Sequence, residues 1–199
     1  MPETEWVERL PETQRERMEQ GAHPMDPRRL GSSIAVVGGV VFVAANAPVL
    51  GAPVRWLLLL AAVALAAWLV WRLFLRPRSL GTPQAPHRFA GLIYLISVVA
   101  MLALIAAGGA WLRASGHEAA QPSLIALVVG LHFVPFAMAF REPMLIQRGT
   151  AVAAMGAVGL VLGILLGDPW GAGAAVAAGF VQLGVVAAWA QGLLRRSAV

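Results

Sequence analysis

Cysteine is absent from all 199 residues, which excludes disulfides, thiolate metal sites and cysteine nucleophiles. Lysine is absent too, so every one of the 15 cationic side chains is arginine. Charge is scarce at 13 % of residues, against about 25 % in soluble domains. A soluble chain of this length could bury a core, but it would need more charge to cover it. No cluster of aspartates could hold Mg²⁺ as prenyl and alcohol-phosphate transferases require. The four histidines do not make a zinc site by ligand count. Nor do they pair for a transmembrane haem, because His87 and His117 flank the third apolar run and neither shares the depth of His132. No cofactor and no catalytic activity are expected.

What the chain does have is apolar surface, with 59 % hydrophobic residues and a mean hydropathy of +0.73. Six apolar runs stand out, at 33–52, 54–75, 89–112, 123–140, 149–167 and 171–193. Each is near the ~20 residues a helix needs to cross a bilayer, where a helix satisfies its own backbone. The expected fold is an all-α integral membrane protein of six transmembrane helices over residues 31–196. Residues 1–30 are expected to form a separate acidic segment, partly helical or disordered.

The arginines orient these spans. Arg28, Arg29, Arg72, Arg76, Arg78, Arg88, Arg141, Arg148, Arg195 and Arg196 fall on one side, and only Arg55 and Arg113 on the other. The positive-inside rule then puts both termini in the cytoplasm. The net charge of +5 is thus a topology signal at the ends of apolar runs, and no nucleic-acid partner is expected. Exclusive use of arginine and the wealth of Ala, Val, Leu and Gly fit a GC-rich bacterial source, hence an inner membrane. The acidic N-terminus is unlike a secretory signal. It reads either as a solvated tail or as a short helix docking on the basic rim or on a partner.

The outer connections "LGAPVRW" (50–56), "SGHEAAQP" (115–122) and "LGDPWGA" (166–172) each place Gly before Pro or at a turn. That pattern suggests three helical hairpins and a threefold internal repeat. Small residues at every fourth position mark close helix packing. They occur as Gly159, Gly163 and Gly167 on the fifth span and as Gly184, Ala188 and Gly192 on the sixth. Such stripes fit a tight bundle or the seam of a homo-oligomer or of another membrane partner.

Within the apolar runs the polar set is short: Asn46, Tyr94, Ser97, His132, Gln182 and Gln191. His132 lies nine or ten residues into the fourth run, and Asn46 and Gln182 are its expected partners at similar depth. Pro135 removes a backbone donor nearby and frees the carbonyl of Leu131. The three side chains form the candidate polar site, read either as interhelical glue or as a functional group. Ser97, in "YLISVVA", lacks the glycine-flanked loop that exposes a nucleophile, so a Ser97–His132 dyad is only formally available.

The stretch "GLHFVPFA" (130–137) resembles a G-L-H-F-x-P pattern of small bacterial multi-pass membrane proteins of unassigned function, in which it opens a late helix of a compact bundle. The resemblance covers eight residues and implies no activity. It implies that His132 and Pro135 belong together. Three function classes stand in order: a permease or channel-like protein with its polar site at His132, a non-catalytic accessory that binds a partner, and, last, a membrane enzyme. Reporter fusions test the topology. Fusions at Gly81 and Val199 should read cytoplasmic and one at Gly116 periplasmic, and any odd number of crossings between Gly81 and Val199 would overturn it.

Overall fold

A computed structural model of the chain describes residues 11–21, 23, 26–80 and 85–194. Among these residues there is no strand, and seven α-helices form: α1 (Glu12–Glu19), α2 (Pro27–Asn46), α3 (Ala52–Val70), α4 (Ala90–Ala114), α5 (Gln121–Phe140), α6 (Pro143–Leu166) and α7 (Trp170–Gln191). All but α1 are long and apolar enough to cross a membrane. A 3₁₀ turn, Ala47–Leu50, extends α2, and a wide π turn, Trp71–Leu75, ends α3.

Local chemistry sets these boundaries. Asp26 caps α2 by accepting the Arg28 backbone N–H at 2.9 Å, with Pro27 opening the helix. Proline also sits in the first turn of α3, α5 and α6, where its missing N–H is harmless and its fixed φ suits the helix. Gly51, Gly116 and Gly167, at φ +89°, +75° and +72°, turn the chain between α2 and α3, α4 and α5, and α6 and α7, in conformations that a side chain would strain. Arg141 takes the left-handed conformation at φ 53° and ends α5, leaving only Arg141 and Glu142 before α6.

Two helices begin earlier than the apolar runs suggest. The runs read as starting at 33 and 149 start instead at Pro27 and Pro143, because an N-terminal proline and the Asp26 cap favour the first turn before hydrophobicity sets in. This draws Arg28, Arg29 and Arg148 into helices, and Arg29 and Arg148 are buried. Arg29 gathers one face of the bundle. Its Nη1 donates to the Leu73 carbonyl at 2.7 Å, and its Nη2 donates to those of Gly21 at 2.8 Å and Arg78 at 2.6 Å. Arg78 in turn donates to the Gln191 carbonyl at 2.6 Å. Residues 20–21 are tied to this rim, since Ser79 Oγ donates to the Gln20 carbonyl at 2.6 Å. If the acidic segment is a short helix, Trp6, Val7 and Leu10 are expected to share one apolar face; these three lie outside the described residues.

The six spanning helices pack in the spatial order α3, α2, α7, α6, α5, α4. Each hairpin pair packs together, and α5 also packs on α6 and α7 on α2. A closed threefold repeat would pack α3 on α4 as well, but these two share no packed interface among the described residues. The reason lies in the connections: residues 76–89 join α3 to α4, against two residues between α5 and α6. The three hairpins therefore form an open row. α7 is central, with 61 % of its apolar span buried, whereas α4, at 6 %, packs chiefly on α5 and the turn before it among the described residues.

Glycine sets the closest contacts. A Cβ on Gly130 would meet the Ala153 backbone, with its Cα at 2.7 Å, and one on Gly149 would meet the Gly130 carbonyl oxygen at 2.7 Å. Gly156 faces the Leu127 backbone, and Gly39 and Gly179 face each other between α2 and α7. Of the expected stripes, Gly159 packs against Ser123 and Ala174, and Gly163 against Ala120 at 2.7 Å. Gly167 is a turn residue, a Cβ at Gly184 would meet open space, and Ala188 is half-buried. Gly184 therefore faces outward, because the buried side of α7 runs through Ala175, Gly179, Leu183 and Val186, whereas a Cβ at Gly192 would meet the Arg78 guanidinium. Gly130→Ala should lower stability in detergent by about 1–3 kcal/mol, since backbone cannot yield to the added methyl. Gly184→Ala should not lower it. Equal melting temperatures for the two variants would refute the placement of α5 on α6.

Candidate functional site

α4, α5 and α6 bring three polar groups toward one end of the bundle. Ser97 is seven residues past the start of α4, His132 eight before the end of α5, and Arg148 five past the start of α6. At about 1.5 Å of rise per residue, all three lie roughly 8–12 Å in from the face that carries Arg29.

His132 is half-buried on α5 and turns toward α4. Its Nδ1 lies 2.7 Å from Ser97 Oγ, which is also 3.4 Å from the His132 carbonyl oxygen. The hydroxyl donates to Nδ1 or accepts from it according to the tautomer. Ser97 is itself buried. Neither group would find a partner in hydrocarbon, so each answers the other.

An aromatic cluster surrounds this pair. The Phe136 ring lies 4.2 Å from the His132 ring and 5.0 Å from Tyr94, centroid to centroid. Phe133 and Phe140 extend the cluster along the same helix. The spacing follows from helical geometry, because residues three and four apart share a face. Pro135 is accommodated within α5, which continues to Phe140.

Arg148 is the residue that a reading by hydropathy misplaces. It was expected in a connection as a topology signal, yet it is 3 % exposed within α6. Its guanidinium carbon stands 3.9 Å over the Phe133 ring, a cation–π contact. Among the described residues, Nε and Nη1 have no hydrogen-bond partner. The ion pairs at this end, to Asp26 at 2.8 Å and Glu142 at 3.7 Å, are both made by Arg28. The signal that could have located Arg148 is Pro143, which starts the helix a turn and a half before it.

The other expected site residues are elsewhere. Asn46 donates through Nδ2 to the Phe42 carbonyl of its own helix at 2.7 Å. It sits at the far end of α2, because that helix starts at Pro27 and position 46 is its last residue. Gln182 donates through Nε2 to the Ala35 carbonyl at 2.7 Å, across the seam between α2 and α7. The trio His132, Asn46 and Gln182 does not converge, and the partner of His132 is Ser97.

A double-mutant cycle reads this arrangement. Ser97→Ala and His132→Gln should couple by about 0.6–2 kcal/mol, the range for polar contacts between membrane helices. Asn46→Ala and His132→Gln should add independently within about 0.5 kcal/mol. Coupling to Asn46 instead of Ser97 would overturn the site. Comparison with known protein families, curated proteins and solved structures finds no match for this chain.

Proposed function

We propose that the protein is a small permease of the carrier type, with the Ser97–His132 pair as its polar contact. The observation that supports this reading is the 2.7 Å contact between two helices, one of which, α4, packs chiefly on α5 among the described residues. A polar pair at the seam of a loosely held helix can open to a solute and close on itself, and neither partner is left bare in lipid in the closed form. A hydrolytic role for Ser97 has less support. Ser97 lies within the continuous helix α4, whose backbone N–H groups are engaged in helical bonds and leave no oxyanion hole beside the hydroxyl.

The absence of cysteine makes the test direct, because spin labels can be placed without removing native thiols. Labels at Leu92→Cys on α4 and Ile146→Cys on α6, both exposed positions, should give two distance populations in liposomes. Ser97→Ala should shift their ratio by weakening the closed form. A single narrow distance, unchanged by Ser97→Ala, would remove the basis for a carrier.

A further inference from the structure

A guanidinium enclosed in an apolar bundle is costly unless its N–H groups are answered. Intramembrane arginines usually pair with a carboxylate, bond backbone carbonyls or face a polar pathway. Arg29 follows the rule, with three carbonyl contacts. Arg148 does not. It is as deeply enclosed as Arg29, at 3 % against 1 % exposure, and two of its nitrogens have no hydrogen-bond partner among the described residues. Its one described contact, the face of Phe133, orients the group without satisfying its N–H donors. Helical geometry also explains why α6 cannot answer it. Backbone carbonyls within the helix are already used, the side chains three and four residues away are Met144, Leu145, Ala151 and Val152, and the adjacent Gln147 Oε1 is buried but makes no hydrogen bond to Arg148 among the described residues.

We propose that Arg148 is the seat of an oxyanion-binding site, which takes the carboxylate or phosphate oxygen of a ligand beside Phe133. A planar guanidinium with unanswered N–H groups matches such oxygens in charge and geometry, and the contact strengthens where water is excluded. The phenyl ring covers one face of the guanidinium and leaves its edge and opposite face for the oxyanion. The position favours an anion arriving from the Arg29 face, because Arg148 lies within two helical turns of it. His132 on α5 and Ser97 on α4 are at nearly the same depth. This assignment deepens the carrier reading by giving the solute its charge, and it rests on that reading only for the route, not for the binding.

The oxyanion has two sources, a soluble ion or a lipid headgroup, and two titrations of the purified full-length protein in neutral detergent separate them. One uses inorganic phosphate at constant ionic strength. The other uses phosphatidylglycerol, with phosphatidylcholine as the uncharged reference. In wild type, one of these probes should raise the melting temperature by a few degrees, as a ligand bound only by the folded state must. A response to phosphate identifies a soluble anion, and a response to phosphatidylglycerol alone identifies a headgroup. Arg148→Met should abolish the response. Without probe it should also melt no lower than wild type, because it removes an unanswered charge from the interior. If neither probe acts, if Arg148→Met responds as wild type does, or if its folded form melts well below wild type, the site is overturned and Arg148 is structural. Should Arg148→Met not fold, Arg148→Lys carries the test: affinity weaker by about tenfold supports the planar-group contact, and unchanged affinity refutes it. Binding is read here without any motion of α4, so a rigid α4 with intact binding removes the carrier and leaves the anion site in place.

Discussion

The contact on which the site depends is made by backbone. Along Gly130, Gly149, Ala153 and Gly156, α5 and α6 approach so closely that a single methyl group would overlap main-chain atoms. Packing this tight fixes the rotation of each helix about its own axis, because only one side of each presents enough bare backbone. Once that rotation is set, the placement of the site follows. Phe133 comes to lie under Arg148, and His132, one residue earlier and about 100° around α5, points away from α6 toward Ser97. The two-residue connection at Arg141 and Glu142 holds the same register from the end.

Arginine in this chain does more than orient it. The cations that mark one side by count also donate into the ends of the helices, where carbonyls lack intrahelical partners. Arg29 binds the carbonyl of Leu73 within the wide turn of α3, and Arg78 binds that of Gln191 at the end of α7. A lysine could not replace Arg29 without loss, since three acceptors on three segments need the spread of a guanidinium.

Much of this was legible in the sequence. Six apolar runs gave six helices, and the Gly and Pro of the outer connections gave the turns, because hydrophobic length and turn chemistry are local properties. The failures came from depth and pairing. Counting depth from the start of hydrophobicity put Asn46 near the middle of a span and Arg148 outside one, when Pro27 and Pro143 start those helices earlier. Four-residue spacing singled out Gly159 and Gly163, and these face Ser123, Ala174 and Ala120. It credited Gly184 and Ala188 as well, because periodicity names a face without saying what meets it. Gly39 with Gly179 and Gly130 with Gly149 bring backbone against backbone, and each pair becomes visible only when two helices are set side by side. Ser97 with His132 was named only as a formally available dyad, behind Asn46 and Gln182, because their meeting depends on α4 leaning on α5, which no local signal encodes.

The neighbouring positions of the first and last spanning helices have a consequence for how the protein is made. The bond from Gln182 to Ala35 joins residues 147 apart in the chain, and Gly39 meets Gly179 in the same seam. While the chain is being synthesised, α2 enters the bilayer with its glycine face bare, and it stays so until α7 follows. Contacts of such long sequence separation form late, after the entropy of closing the intervening loop has been overcome. A product stalled or cut before α7 would therefore hold local hairpins but no centre.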